Sequence, residues 1–508
     1  MSKNKTSKQQ LAVHSNVLKT AIGTVFGTAA LVGIHHRYRK QQQADARLQD
    51  YLTGMRYQLR SLTVSPDSTL NRLQYTYQQA ISSYQNYPQD SLVTSNRSSE
   101  HYDIAERYTT VMLARPVCWV SGVSSMPKPT SSPLTKTSSS EESISTESNS
   151  EPCCGVVGID ADRQIVWQTT MPERVHDIVV QPISVESNAD KQRDVVVMGR
   201  RPSEGFWVLD TATGQVKYAI KAAADRHFYG HACYSLDGKL LYVTENDTIT
   251  LDGKIGIYDV NDSYQKIAEF DSYGIGPHEL IMHPDSETLI IANGGIKTEQ
   301  ASREELNLDS MRPSLVYLNR HNGELLEQII PEHNQMSIRH LAIHDNGTVM
   351  IGIQFQGDKH INVPLVLTHL RGDSEFKPLI MPNNQWQRFH QYIASVAVDS
   401  ENNLLCVTTP IGGCAAIYDL TTRKLIDAVK LPDCAGASIL TNSYSANSEN
   451  YVNNMNSGFI VSDGQGQLTT LFTKSMALED SADDKASGQI IQDSQHHKMS
   501  FDNHLQAL

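Results

Sequence analysis

Short apolar runs alternate with turn-forming residues along most of the chain, at intervals of roughly ten residues. Residues 240–245 (L-L-Y-V-T-E) and 255–258 (I-G-I-Y), separated by Asp252-Gly253, show the pattern. Runs rich in β-branched and aromatic residues, bounded by Asn, Asp and Gly, predict strands joined by tight turns. The pattern recurs in residues 194–200 with 206–210, 288–293 with 314–318, 348–353 with 364–368, and 404–409 with 415–419. Repetition of such a unit predicts a β-propeller.

One position in each repeat aligns the predicted innermost strands. The residues at this position are His176, His231, His278, His340 and Ser395, which are 55, 47, 62 and 55 residues apart. A compact blade takes ~40 to 50 residues, so we expect the surplus in loops. A sixth inner strand is predicted near Gly436.

The chain termini are predicted to complete one blade together. Residues 116–121, 155–160 and 164–169 predict three strands that lack an inner partner. Residues 501–508 (F-D-N-H-L-Q-A-L) supply one and place His504 in the register of the other histidines. The sequence therefore predicts an all-β fold, a seven-bladed β-propeller over residues 116–508 that is closed by its C-terminal strand. Closure removes open sheet edges, which otherwise invite aggregation.

Three segments interrupt the predicted propeller. Residues 123–152, 441–456 and 479–497 are rich in Ser, Thr, Asn or acidic side chains. Such segments bury too little apolar surface to offset the entropy of ordering, so we predict disordered insertions. Residues 47–115 are polar with helical spacing of leucines, which predicts a helical or linker segment.

The N-terminus has the features of an export signal. Lys3, Lys5 and Lys8 precede the apolar residues 17–34, and Ala44-Asp45-Ala46 offers a cleavage site. Residues 1–46 are therefore predicted to be a cleaved signal peptide or a retained anchor. A cell-envelope, periplasmic protein follows, with membrane contact only through this segment. The alternative is a cytoplasmic protein whose apolar N-terminal helix packs elsewhere.

Charge and cysteine content narrow the class of protein. The 43 basic and 56 acidic residues give a net charge of −13. This balance argues against a nucleic-acid partner, since a DNA-binding surface needs concentrated positive charge. The seven cysteines are odd in number and form no C-x-x-C pair, which favours free thiols over a disulfide framework.

The candidate chemistry is a ring of imidazoles. The five histidines of the inner strands, His176, His231, His278, His340 and His504, are expected to converge on the propeller axis. Imidazole is the commonest protein ligand for transition metals, so the cluster predicts a metal site, with iron or copper as the expected ion. The alternative is that the imidazoles bond to backbone and water without a metal. Glu279 follows His278 and is expected to point to the opposite side of its strand, in a structural role.

Cationic and polar residues accompany the histidines. Arg174, Arg226 and Arg339 lie close to them in sequence and would suit a small anionic ligand or an oxyanion. Further candidates for ligand binding lie in loops predicted at the same end of the channel: Arg200, Arg201, Glu245 and Asn293. His227 beside Arg226 could serve as a general base with an electrophile. No catalytic residues can be assigned, because nucleophile-elbow, zinc-protease and phosphate-loop motifs are missing from the sequence.

Several motifs together resemble a known family. They are D-R-H-F-Y-G-H (225–231), L-Y-V-T-E-N-D (241–247), G-I-G-P-H-E-L (274–280), A-N-G-G-I (292–296), M-R-P-S-L-V-Y-L (311–318), S-I-R-H-L-A (337–342) and F-D-N-H-L (501–505). They resemble an exported bacterial family catalogued as a domain of unknown function, number fifteen-thirteen. The resemblance implies a seven-bladed propeller, export through twin-arginine signals and genes beside imelysin-type periplasmic proteins in iron-uptake clusters. This sequence lacks an Arg-Arg pair before its apolar segment, so its export route departs from that pattern.

The leading functional prediction is a propeller of the cell envelope that binds a metal ion or small anionic ligand in its axial pocket. The resemblance adds a link to iron uptake and an imelysin-type envelope protein as a partner. The first alternative is a hydrolase similar to propeller lactonases such as 6-phosphogluconolactonase, which would need a base, an electrophile and a positioned water. The second is a scaffold that holds another envelope protein on its loop face.

Overall fold

Seven antiparallel sheets make up the described parts of the chain. The computed structural model describes residues 109–127, 153–183, 193–298, 305–440, 458–473 and 490–508. These residues form twenty-nine strands and three short 3₁₀ helices, at Leu308–Ser310, Pro382–Asn384 and Trp386–Phe389. The predicted all-β, seven-bladed propeller is confirmed.

Successive groups of strands form the blades. Blade 1 contains β1 (Thr109–Val111), β2 (Trp119–Met126), β3 (Cys153–Ile159) and β4 (Ile165–Thr170). Blade 2 contains β5 (Val175–Val180), β6 (Asp194–Gly199), β7 (Gly205–Asp210) and β8 (Val216–Lys221). Blade 3 contains β9 (Arg226–Tyr234), β10 (Leu240–Asp247), β11 (Gly253–Asp259) and β12 (Gln265–Asp271). Blade 4 contains β13 (Pro277–Met282), β14 (Thr288–Asn293), β15 (Ser314–Asn319) and β16 (Leu325–Ile329).

The remaining blades follow the same order. Blade 5 contains β17 (Met336–Ile343), β18 (Val349–Phe355), β19 (Val366–His369) and β20 (Lys377–Pro378). Blade 6 contains β21 (Ser395–Asp399), β22 (Leu404–Thr409), β23 (Cys414–Asp419) and β24 (Lys424–Lys430). Blade 7 contains β25 (Cys434–Ile439), β26 (Gly458–Asp463), β27 (Gln467–Thr473) and β28 (Ile490–His496). The final strand is β29 (Ser500–Ala507).

Strand β29 closes the ring. It pairs antiparallel with β2, so blade 1 has the order β1-β4-β3-β2-β29 and contains both the first and the last described strands. The innermost strands β5, β9, β13, β17, β21, β25 and β29 then contact one another in a complete circle. The predicted closure by the C-terminal strand is confirmed.

Burial of the inner strands and Asp-containing turns between strands explain why these runs fold as propeller blades. The strands next to the axis are largely buried, whereas outer strands such as β12 and β16 are mostly exposed or half-exposed. Large aromatic side chains, including Trp119, Tyr317 and Tyr418, are fully buried in the apolar layers between blades. Several hairpins begin with an Asp whose side chain accepts a hydrogen bond from the backbone N–H two residues later, as at Asp210, Asp259 and Asp419. This turn explains the recurring Asp at strand ends.

Six inner strands carry an irregularity where they pair with the next strand of their blade. The register shifts near residues 176–177 of β5, 229–231 of β9, 278 of β13, 339 of β17, 435 of β25 and 502–504 of β29. A β-bulge adds a residue to one strand and re-aims the side chains around it. All five channel histidines lie on bulged strands, so these bulges position the site.

Three predicted boundaries need correction. Residues 123–126, assigned to a disordered insertion, complete β2, because Val123 and Met126 are buried against the neighbouring blade. Residues 490–496, also assigned to an insertion, form β28, the solvent-facing outermost strand of blade 7, where polar residues are expected. Residues 109–111 lie in the predicted linker but pair with β4. The other parts of the three predicted insertions lie outside the described residues.

The N-terminal predictions also lie outside the described residues. They comprise the signal peptide or anchor of residues 1–46, with its apolar segment 17–34, and most of the predicted linker 47–115. Among the residues that the structure does describe, no helix has the length and apolar character needed to cross a membrane. None of the seven cysteines, all of which lie in the described residues, is joined in a disulfide.

Closure of the ring can be tested through Leu505 in β29. This side chain is buried with Trp119 and Phe501 between β29 and its neighbours. Leu505→Ala is expected to lower the free energy of unfolding by about 2–5 kcal/mol, because it leaves a cavity in that layer. The adjacent Gln506→Ala, at an exposed position, is the control and should have little effect. Equal stability of the two variants in urea unfolding would show that β29 does not hold the ring together.

Candidate metal centre

The five predicted imidazoles lie together on the propeller axis. The cluster, called the imidazole cluster below, contains His176, His231, His278, His340 and His504. Ring centroids of neighbouring members are 4.6–5.9 Å apart. The Nε2 atoms of His176 and His231 are 3.1 Å apart. His231 is completely buried and belongs to both of the ligand groups described below.

The bulges bring carboxylates into the same cluster. Glu279 was predicted to face away from the axis, and that prediction is wrong: its Oε2 lies 3.0 Å from Nδ1 of His340. The cause is the register shift between Pro277 and Glu279, which disturbs strict alternation at His278. The register shift in β5 also brings two adjacent side chains to the axis. His176 contacts the ring of His231, and a carboxylate oxygen of the neighbouring Asp177 lies 3.3 Å from Nδ1 of the same ring.

Gly230 makes room for the cluster. Its φ is +109°, a conformation that side chains other than glycine rarely adopt. A Cβ atom at this position would lie 2.8 Å from Cδ2 of His176. The glycine of the sequence Y-G-H is therefore required both by the backbone of β9 and by the neighbouring imidazole.

Four of the imidazoles direct Nδ1 towards an oxygen atom. Nδ1 of His340 contacts Glu279, and Nδ1 of His278 lies 3.2 Å from the backbone carbonyl of Arg339. The two carboxylate oxygens of Asp177 lie 3.3 Å from Nδ1 of His231 and 3.4 Å from Nδ1 of His504. An oxygen at Nδ1 fixes the tautomer and leaves the Nε2 lone pair for a ligand, as in metal-binding histidines generally.

Burial keeps most of the imidazoles neutral. Burial, and then the neighbouring rings and arginines, hold the pKa values of His176, His278 and His340 well below the ordinary value. Burial likewise lowers the pKa of His504 to about 3. Neutral imidazole is the form that coordinates a metal.

The carboxylates carry different charges at neutral pH. Burial alone would raise the pKa of Asp177, but His231 and His504 beside it lower the pKa to about 2. Burial opposes protonation of His231, yet the Asp177 carboxylate outweighs it and raises the pKa of His231. Burial raises the pKa of Glu279 to about 8. At neutral pH the Asp177 carboxylate is therefore charged and favours protonation of His231, whereas the Glu279 carboxyl group holds a proton.

Two overlapping sets of donor atoms are close enough to share an ion. One set is His231, His278, Glu279 and His340, and the other is His176, His231 and His504. Within each set the ligand atoms lie within 4.8 Å of one another. Donors at ~2.1 Å from a tetrahedral ion are ~3.4 Å apart. The 3.1 Å between Nε2 of His176 and Nε2 of His231 already matches that spacing, and the wider pairs need a small inward movement.

A cavity of about 460 Å³ reaches the cluster from one side. Asp177, Glu279, His340 and His504 form its polar end. Beyond them its wall is mostly apolar, with residues from the far halves of the inner strands such as Leu280 and Leu505. These four side chains connect the cavity to the imidazole cluster.

Arginines occupy the other end of the channel. The arginine cluster consists of Arg174, Arg200, Arg201 and Arg339. Arg174 forms a bidentate ion pair with the fully buried Asp502, with N–O distances of 2.5 and 2.8 Å. Arg201 lies over the ring of Tyr229, 4.5 Å from its centroid, and donates to its hydroxyl. All four arginines were predicted to bind a ligand, and the structure places them together.

The other four predicted ligand-binding residues are engaged elsewhere. Arg226 pairs with Glu269 on outer strand β12 and with Asp247, at 2.7 and 2.9 Å. Glu245 is fully buried and bonds to Tyr258 and Lys266, at 2.7 Å each. Asn293 is also fully buried, and its amide donates to the backbone carbonyl of Ser272.

The fourth residue, His227, does not form a pair with Arg226. Its ring stacks on Tyr229, and burial followed by the charge of Arg201 lowers its pKa to about 4. The predicted base His227 and the predicted electrophile Arg226 are neighbours in sequence, but their side chains contact different residues.

Sequence reasoning missed three acidic residues and one phenol. Asp177, Asp502 and Tyr392 were not singled out, and Glu279 was assigned to the opposite face. The pairs His176-Asp177 and His278-Glu279 carry a signal, because an acidic residue next to an inner-strand histidine recurs. The bulge that lets both side chains act at the axis leaves no mark of its own in the sequence.

Comparison with known proteins identifies a family but no activity. The family model described as "Protein of unknown function (DUF1513)" matches residues 169–508. No curated protein matches the sequence.

Two solved structures match this chain at low similarity. Hydrazine synthase of Kuenenia stuttgartiensis has a TM-score of 0.44 at 12% identity, covering 61% of this chain and 86% of that chain. A chain of the mitotic checkpoint complex has a TM-score of 0.39 at 15% identity, covering 59% and 80%. No function follows for this chain from similarities this low.

The buried Glu279 makes the stability of the metal-free protein depend on pH. Its folded pKa of about 8 exceeds the ordinary 4.5, so the native state keeps a proton that the unfolded chain releases between these values. This contribution to the free energy of unfolding is complete below about pH 4.5 and falls by at most about 1.4 kcal/mol per pH unit up to about pH 8.

Glu279→Gln is expected to remove this alkaline decline, because an amide does not titrate. The loss of stability below pH 6.5, which comes from imidazoles with lowered pKa, should remain. Urea unfolding from pH 5 to 9 after chelation measures both effects, with Glu375→Gln at an exposed position as the control. An unchanged decline in Glu279→Gln would contradict the assignment.

Proposed function

We propose that this chain, which belongs to the DUF1513 family of proteins of unknown function, binds a transition-metal ion through the imidazole cluster of its axial channel. The observation that carries the proposal is the orientation of the rings. Four of five imidazoles face an oxygen with Nδ1, and His176 and His231 bring their Nε2 atoms to 3.1 Å. Rings oriented in this way can act together as ligands.

Unsatisfied polar atoms favour a metal over a cluster that is merely hydrogen-bonded. Nδ1 of His176 and Nε2 of His504 are buried without a hydrogen-bond partner among the described residues. Each buried polar atom left unpaired costs about 1–3 kcal/mol. A metal bound at the Nε2 atoms would satisfy His504 directly. It would also fix the tautomer of His231, so that its Nδ1–H donates to Asp177.

The chemistry of the donors limits the choice of ion. Imidazole with a carboxylate suits iron, copper or zinc, and we propose iron or copper. Glu279 releases its proton when it becomes a ligand or accepts a hydrogen bond from a ligating His340. Its negative charge, with that of Asp177, then balances a divalent cation in a buried site. These two residues also line the cavity, which offers a cation a path that avoids the arginine cluster.

The cellular setting is a further part of the proposal. The export signal expected in residues 1–46 and the motif resemblance support a periplasmic protein that takes part in iron uptake, with an imelysin-type envelope protein as its partner. Cell fractionation of the full chain and of a variant without residues 1–46 tests the location. Recovery of both in the cytoplasm would contradict it.

His231 is the best single position for testing the metal site, because it belongs to both donor sets. His231→Ala is expected to lower the affinity for Fe²⁺ or Cu²⁺ by at least about a hundredfold, since a ligand is lost from either arrangement. Elemental analysis and competition with a chromophoric chelator measure the change, after reconstitution of the chelated protein.

Two further variants make this test specific. His321→Ala removes an exposed imidazole that pairs with Glu287 away from the channel, and it should retain full metal content. His504→Ala affects only one donor set and is expected to reduce affinity even where His231→Ala fails to fold. Negligible metal in the unmodified protein, or equal metal in His231→Ala, His504→Ala and unmodified protein, would refute the proposal.

A further inference from the structure

Two arginines at the channel end have donors without acceptors. Nη1 of Arg200 and Nε of Arg339 are buried atoms without a hydrogen-bond partner. Oδ1 of Asp502 lies 3.7 Å from Nη1 of Arg200, which is too far for a hydrogen bond. A buried charged donor without an acceptor is costlier than a neutral one, so this arrangement indicates that an acceptor from outside completes it.

The surroundings of these two donors are cationic and contain a phenol. Arg174 and Arg201 complete the cluster, and Arg174 is already paired with Asp502. Burial and then the charge of Arg174 lower the pKa of Arg200, while burial and then Arg201 lower the pKa of Arg339. The charge of Asp433 favours the protonated form of Arg174, and the charge of Glu305 favours the protonated form of Arg339. In the described part of the chain, neither acid forms an ion pair with Arg200 or Arg339. Positive charge therefore predominates.

Tyr392 connects the two arginines. Burial raises the pKa of Tyr392, so its hydroxyl stays protonated, and both Arg339 and Arg200 act on that hydroxyl electrostatically. The side-chain amide of Asn503 donates to the hydroxyl of Tyr392 at 3.5 Å. Asn503 belongs to the same bulge of β29 as His504. Two guanidinium groups and a phenol thus share one end of the channel.

We propose that Arg200, Arg339 and Tyr392 bind the carboxylate of a small organic acid at the arginine end of the channel, beside the imidazole cluster. Guanidinium groups match the planar geometry of a carboxylate, and the Arg174–Asp502 pair shows the same recognition within this cluster.

The position of the arginines relative to the imidazoles gives the acid a second role. Arg339 directly precedes His340, and its backbone carbonyl contacts His278. Resting on the proposed metal function, we assign this acid as a co-ligand: one oxygen bonds to the arginines, and another oxygen of the molecule reaches the ion. The repulsion between a metal ion and four arginines is then offset by the anion between them.

The carboxylate site can be tested without any metal. Acetate, a weak metal ligand, is titrated into the chelated protein at constant ionic strength maintained with chloride, and binding is followed by calorimetry. Arg200→Met and Arg339→Met keep the apolar volume and are each expected to weaken acetate binding at least about tenfold, because a charge-assisted hydrogen bond is lost. Arg371→Met, at an exposed arginine beside Asp285 on blade 4, is the control and should bind normally.

Other outcomes overturn the carboxylate site. Failure of the unmodified protein to bind acetate, equal binding by all variants, or tighter binding of sulfate than of acetate would each contradict it. Melting temperatures without ligand show whether the variants fold, and Arg200→Gln replaces Arg200→Met if the latter does not.

A second measurement separates this inference from the proposed metal function. Acetate is expected to raise the affinity for Fe²⁺ or Cu²⁺, and the ion to raise the affinity for acetate by the same factor. Metal binding that acetate leaves unchanged would overturn the co-ligand role but not the metal site. Acetate binding by a protein that takes up no metal would overturn the metal function and leave the carboxylate site standing.

Discussion

The backbone pairing between β29 and β2 is the interaction on which the rest of the structure depends. Without it the inner ring would lack one of its seven strands, and the apolar layers on both sides of β29 would be open to water. The same strand carries Asp502 and His504, which act at the two ends of the channel site. Closure of the ring and assembly of the site therefore depend on the same strand.

The bulges of the inner strands convert a uniform ring into a chemical site. In a regular strand only alternate side chains would face the axis. A register shift at residues 176–177 and at residue 278 lets a histidine and the adjacent carboxylate reach the same cluster. Each bulge interrupts the hydrogen bonding of the sheet locally. The regular pairing of the other strands in the blade keeps the sheet intact. The site thus depends on bulges in the inner strands, and the regular strands of the blades hold these bulges in position.

Charge is arranged in layers along the channel. Arginines lie at one end, neutral imidazoles in the middle, and Asp177 and Glu279 at the side that meets the cavity. The low pKa values of the imidazoles follow from burial, and the arginines reinforce them. This order favours a cation arriving from the carboxylate side and an anion from the arginine side, and it gives the two proposed ligands separate paths to neighbouring positions.

The sequence by itself determined the number of blades, the inner-strand register, the closing role of residues 501–508 and the convergence of five histidines. Each of these follows from apolar alternation and fixed turn residues, which are local properties repeated many times. Only the tertiary structure decided that Glu279 faces His340, that Arg200 and Arg339 cluster while Arg226 is held on an outer strand, and that residues 490–496 form a strand. Bulges, ion pairs and the pairing of a polar edge strand arise between segments far apart in the chain. Alternation along one strand contains no information about which partner that strand will meet.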